Sequence, residues 1–177
     1  MLEQSAVVLE EVLPLSLEKG EVDTVRRARL MLDNMALLKA LLVMDDHLLM
    51  DDDNREAISS LETKIDLLLL LVGKGIQGLE PLPPFYSCAL GAEDLYWEAA
   101  SSADFPHENG PVCVALFLRP RIAMPLFLPG TLQMSLTQPE GSAEALFRYH
   151  LHFELNARVQ ESLDRLMGTS NNKNFTT

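Results

Sequence analysis

Several groups of residues in this 177-residue chain have types and spacings that could do chemistry. Gly73-Lys74-Gly75-Ile76-Gln77-Gly78 spells G-x-G-x-x-G. A dinucleotide loop needs a strand before that pattern and a helix after it. No strand pattern precedes it, and Pro81-Leu82-Pro83-Pro84 bars a helix soon after, so it reads as a glycine-rich helix exit. Asp45, Asp46, His47, Asp51, Asp52 and Asp53 crowd one turn. They lack the alternating ligands, central glycine and closing glutamate of a calcium loop and read as a solvated acidic turn. His150 and His152 alternate on one apparent strand and could share a metal. No cysteine lies near them in sequence, so packing or surface roles are assigned and no metal is expected. Cys88 and Cys113 are too few for a disulfide framework, and neither sits beside a histidine in a recognisable nucleophile signature. There is no G-x-S-x-G, and His107 has no visible partner. Tyr96-Trp97 reads as barrel packing rather than a base-stacking platform. The expectation is a protein that is not an enzyme and takes no cofactor.

The elements that would position these residues fall into two textures. From Glu21 to Val72, 52 residues contain neither glycine nor proline, and this stretch reads as helix. One proline precedes residue 80 and nine follow it, separating short apolar runs that read as strands. The divisions expected are an N-terminal segment at 1–20, a helical oligomerisation region at 21–80, a β domain with a closing helix at 81–168, and a disordered tail at 169–177. Asp51-Asp52-Asp53-Asn54, with Glu56 three residues beyond Asp53, breaks the helical stretch into one helix near 22–50 and a second near 54–77. Five strands are expected, at Phe85 to Leu90, Leu95 to Ala99, Val112 to Leu118, Leu132 to Thr137 and Leu146 to Leu155. A short sixth is offered by Val12 to Leu17. Asn156 caps a last helix presenting Val159, Leu163 and Leu166 and ending at Gly168.

The helical region carries the argument for self-association. Ile58, Leu61, Ile65, Leu68 and Val72 step by 3, 4, 3, 4, the a and d seam of a coiled coil. Leu67, Leu69, Leu70 and Leu71 cover the other faces of the same helix, which asks for a bundle of more than two. The first helix has two stripes: Ala28, Met31, Met35, Leu38, Leu42 and Leu49, and Leu30, Leu37, Leu41, Met44 and Leu48. Asn34 falls in step with the second, where a polar residue can set register or oligomer number. Two stripes imply two partners, so a homo-oligomer is expected, a tetramer before a dimer. The competing reading is a monomeric helical hairpin that caps the β domain.

The net charge of −12 argues against a nucleic-acid or anionic-membrane partner. The first ten residues lack a basic, apolar leader pattern, and the apolar run from Leu67 to Val72 is far short of a membrane span of roughly 20 residues. A cytoplasmic protein is expected. Asn174-Phe175-Thr176 is then a chance match to a glycosylation pattern.

Strand order and closing helix resemble the PilZ domain, a six-stranded β-barrel of bacterial cyclic di-GMP signalling. The resemblance lies in Val112 to Leu118 followed by Met124 to Leu132, similar to the central strand pair of the family. It lies also in Tyr149 to Leu155 followed by Asn156 to Met167, similar to its last strand and helix. Leu13-Pro14-Leu15-Ser16-Leu17, the long helices and Leu61 to Asp66 resemble the atypical, oligomerising branch. The fold this implies is α+β: a six-stranded antiparallel barrel, two long heptad-bearing helices inserted near the N-terminus, and a C-terminal helix. PilZ receptors grip the nucleotide with R-x-x-x-R and [D/N]-x-S-x-x-G, and neither occurs here. The second should fall at Ala89-Leu90-Gly91-Ala92-Glu93-Asp94, so Ala89, Gly91 and Asp94 stand at degenerate motif positions, and two carboxylates there would repel a dianion. The resemblance implies a scaffold in a cyclic di-GMP or motility pathway with protein partners. Its alternative is a cyclic di-GMP receptor that borrows Arg119, Arg121 or Arg148 across subunits.

Overall fold

The computed structural model describes residues 8–47, 61, 64, 65, 68, 81–100, 105–120, 124–137 and 146–174. Six antiparallel strands form a closed barrel: β1 (Leu9–Lys19), β2 (Phe85–Leu90), β3 (Asp94–Ala100), β4 (Gly110–Leu116), β5 (Leu126–Thr137) and β6 (Leu146–Phe153). Their order around the barrel is β1-β2-β3-β6-β5-β4. Closure removes the free strand edges that would otherwise recruit other chains. β1 is the strand that closes it. Its first half pairs with β2, from Leu9↔Leu90 to Pro14↔Phe85, and its second half pairs with β4, from Leu15↔Leu116 to Lys19↔Val112. Pro14 stands at the change of partner, where a missing N–H is tolerated. Gly20, at φ 108°, ends the strand in the left-handed region that glycine enters without a Cβ penalty.

The barrel interior is filled by alternating side chains of every strand. Trp97 and Tyr149 face each other in register on β3 and β6 and stack with centroids 5.1 Å apart. Phe105 packs its edge against Trp97 at 5.8 Å. Around them Leu90, Leu95, Leu116, Leu128 and Phe153 are fully enclosed.

Two helices are defined among the described residues, α1 (Thr24–His47) and α2 (Ala157–Asn174). This corrects the expected architecture of two long N-terminal helices plus a C-terminal one. The barrel is as expected, but one N-terminal helix is defined. Most of the second one, expected near 54–77, lies outside the described residues, of which only 61, 64, 65 and 68 are described, in helical conformation. The middle of the first helix's two apolar stripes is covered by the chain's own fold, while Ala28 is exposed and Leu48 and Leu49 lie outside the described residues. Leu30, Met31, Leu37, Leu38, Leu41 and Leu42 are buried within the one chain, and α1 packs on both α2 and β5. The two stripes are about 100° apart on a helix, so one helix in the angle between a barrel wall and a second helix can bury both.

Caps set the helix starts. Asp23 Oδ1 accepts a hydrogen bond from the Arg26 amide at 2.9 Å, and Asn156 Oδ1 accepts one from the Val159 amide at 2.9 Å. α2 buries Val159, Leu163 and Leu166 as the spacing predicts. It does not stop at Gly168 but runs to Asn174, so the expected loose tail is largely helical. A single interior glycine costs a helix only about 1 kcal/mol relative to alanine, and no proline follows. β5 is also longer than expected. It starts at Leu126, not Leu132, and carries Pro129-Gly130 through its middle.

Candidate functional site

Ala89, Gly91 and Asp94 sit around the β2–β3 hairpin. Ala89 is on β2, Gly91 is in the turn with its amide donating to the Asp94 carbonyl at 2.7 Å, and Asp94 opens β3. Of the three, Asp94 alone carries a side chain able to grip anything, and it is already engaged. Antiparallel pairing sets Asp94 opposite His152 and Tyr96 opposite His150. Alternation brings all four onto the outer face of the barrel. Asp94 Oδ1 lies 2.6 Å from His150 Nε2 and 3.2 Å from His152 Nδ1. The His150 ring stacks on Tyr96, centroids 4.3 Å apart and 7° from parallel. Burial works against the charge of Asp94, but hydrogen bonds from the two imidazoles outweigh it and hold the carboxyl below its ordinary range. One step along the same face, Arg148 donates from Nε and Nη2 to Glu98 Oε1 at 3.0 and 2.8 Å.

This network changes the view of the nearby arginines. Arg148, one of the candidates for a borrowed nucleotide site, is spent on Glu98. Arg119 donates to the Leu118 carbonyl at 3.4 Å, and Arg121 lies outside the described residues. Arg26 pairs with Glu18, which lowers the Glu18 carboxyl through the hydrogen bond. His107 packs against Phe147, centroids 5.2 Å apart. Beyond the hairpin, a cleft of about 350 Å³ opens between Gly20, Arg27, Thr131, His152 and Glu154. Its two carboxylates, Glu21 and Glu154, accompany the one guanidinium of Arg27.

The residues expected to drive assembly divide into three groups. Met31, Leu38 and Leu42 are buried and Met35 half-buried against the chain's own fold, with Ser162 of α2 donating to Met35 Sδ at 3.9 Å. Asn34 is fully buried, and its side chain is bonded to the backbone of Phe127. All five residues are packed within the chain's own fold. Leu61, Ile65 and Leu68 form the second group: they are helical and 58%, 46% and 59% exposed. The third group, Leu49, Ile58 and Val72, lies outside the described residues. The place of Asp94 beside His150 and His152 is not visible in the sequence, because it stands 56 and 58 residues from them and meets them only through the pairing of β3 with β6. The alternation of His150 with His152 was the one signal pointing to the cluster.

The fold therefore defines a class: a closed six-stranded barrel whose first strand leads into a long helix, with a terminal helix packed on it. The chain is similar to a solved structure from Xanthomonas campestris, a pathogenic protein described as a new tetrameric PilZ domain self-assembled via an unusual helical bundle. The TM-score is 0.66 at 14% identity, covering 98% of this chain and 93% of that one. No protein-family model matches the sequence, and no curated protein does. No helix among the described residues is long and apolar enough to cross a membrane.

Proposed function

We propose that this protein is a non-enzymatic, PilZ-like signalling scaffold. It assembles into a tetramer through the helical segment carrying Leu61, Ile65 and Leu68, presents its barrels to protein partners, and does not itself take cyclic di-GMP. The observation that carries this reading is the exposure of those three side chains. They are spaced 4 and 3 apart on helical residues, a heptad seam, while Leu30, Leu37, Leu38, Leu41 and Leu42 of α1 are covered. Burying a leucine or isoleucine is worth about 1.5–3 kcal/mol, so a seam repeated in several copies stabilises an assembly strongly. The similarity to a tetrameric PilZ domain built on a helical bundle supports the same arrangement. Against a nucleotide grip stand the absent arginine pair, the carboxylate at Asp94, and the Arg148–Glu98 pair.

Sedimentation equilibrium on the wild type and on Leu61→Glu/Ile65→Glu/Leu68→Glu tests the assembly. A tetramer reduced to a lower state by the triple substitution is expected, and a wild-type monomer at micromolar concentration overturns it. Calorimetry with cyclic di-GMP tests the second clause: micromolar or tighter binding overturns it and leaves the assembly standing.

A further inference from the structure

The outer barrel face holds a group of side chains apart from the helical segment that carries Leu61, Ile65 and Leu68. We propose that His150, His152 and Asp94 form a binding site for a borderline divalent cation of the zinc class. Two imidazoles and one carboxylate are the donor set such ions take, with the remaining positions left to water or to a partner's side chain.

The strand geometry supports this. His150 and His152 alternate on one face of β6, and Asp94 is the cross-strand neighbour of His152 on β3. Three donors from two adjacent antiparallel strands thus stand together on one face without any loop having to be ordered. Among the described residues, no group of three or more His, Cys, Asp or Glu side chains is set to hold a metal ion as it stands. Asp94 Oδ1 is within hydrogen-bond distance of both imidazole nitrogens. A cation would replace those hydrogen bonds, so Oδ1 must draw back from His150. Two atoms each about 2.1 Å from one metal stand roughly 3.0–3.4 Å apart, according to coordination number. The Asp94 Oδ1 to His152 Nδ1 separation of 3.2 Å already fits. The separation to His150 Nε2, 2.6 Å, must open by less than about 1 Å. The Asp94 side chain is 39% exposed and free to make that adjustment, whereas the Tyr96 stack holds the His150 ring in place. Glu154 stands two residues beyond His152 and lines the same cleft as that imidazole, one strand step from the three donors.

Titration of the untagged chain with zinc chloride by calorimetry is the test, repeated on His150→Asn, His152→Asn and the near-isosteric Asp94→Asn. One ion per chain is expected, with affinity falling roughly tenfold or more in each variant, while thermal midpoints stay close enough to show that the barrel is folded. Cobalt(II) gives a second readout. Its visible absorption should report imidazole ligation in the wild type and vanish in the His150→Asn/His152→Asn double variant. Absence of saturable uptake, or uptake unchanged in the double variant, overturns the site. The second outcome would place the ion on other carboxylates. Neither outcome bears on the oligomeric state, so this proposal and the scaffold reading fail separately.

Discussion

The side-chain amide of Asn34 and the backbone of Phe127 close a two-way hydrogen-bonded pair. Nδ2 donates to the Phe127 carbonyl at 2.7 Å, and the Phe127 amide donates to Oδ1 at 2.8 Å. The pair pins the middle of α1 to the start of β5, 93 residues away, with Asn34 completely enclosed. Asn34→Leu keeps the volume and takes these two bonds from the Phe127 amide and carbonyl. Each bond removed costs about 1–3 kcal/mol, so a loss of roughly 2–4 kcal/mol in urea unfolding is expected. Asn34→Asp removes the donor and inserts a charge, and should be at least as damaging. A register role in a bundle predicts something else: a changed oligomer at little cost to each chain.

That pair also shows where the sequence stops being legible. The row of Leu30, Asn34, Leu37 and Leu41 is visible as a stripe, but nothing in its spacing says whether the polar member meets another helix or a strand end. Alternation at Tyr149 to Phe153, the Asn156 cap and the α2 stripe depend on local periodicity, and each of these appears in the structure where periodicity puts it. The strand expected at Leu132 to Thr137 leaves out the first half of β5, yet Pro129 and Gly130 both pair in the ladder, Pro129 with Cys113 and Gly130 with Val112. The Asp94 cluster is a property of the long-range pairing of β3 with β6, which no local window contains.

Gly130 has a reason of its own to be glycine. A Cβ built there would stand 2.2 Å from the His152 carbonyl oxygen and 2.8 Å from the Phe153 Cα, both backbone atoms of β6 that cannot step aside. Gly130→Ala should destabilise by more than about 3 kcal/mol, the upper range of overpacking, and shift the His152 resonances. Gly168→Ala is the control. A Cβ there meets nothing within 4 Å, and Gly168 lies inside α2. That substitution should stabilise by roughly 0.5–1 kcal/mol. Thermal midpoints of the two variants should therefore move in opposite directions.

The barrel core carries two polar atoms that find no partner among the described residues, Trp97 Nε1 and Tyr149 Oη. Both belong to the stacked pair at the centre of the core. Tyr149→Phe deletes a buried hydroxyl without opening a cavity. It should be neutral or stabilising by about 1 kcal/mol in chemical denaturation, the reverse of the usual sign for a core substitution. Tyr149→Ala, which removes a ring packed against both Trp97 and Phe105, should cost about 3–5 kcal/mol.

The two thiols give a pH dependence with a definite sign. Burial pushes Cys88 up to about 12, against a smaller lowering from a hydrogen bond with the backbone of Leu13. Burial pushes Cys113 up to about 11, against the pull of the nearby Arg26. The unfolded thiols ionise near 9.0. Above that pH the folded chain holds protons that the unfolded chain has released. The contribution is therefore fully present below about pH 9 and is lost as the pH rises toward 11–12. Each thiol lowers stability by at most about 1.4 kcal/mol per pH unit in that window. Urea midpoints should be flat between pH 7 and 8.5 in this respect and decline between pH 9.5 and 10.5. The same burial makes both thiols unreactive toward a disulfide reagent at pH 8 until the barrel is unfolded, when two should react at once. Rapid labelling of either cysteine in the folded protein would mean that β2 or β4 opens independently of the rest of the barrel.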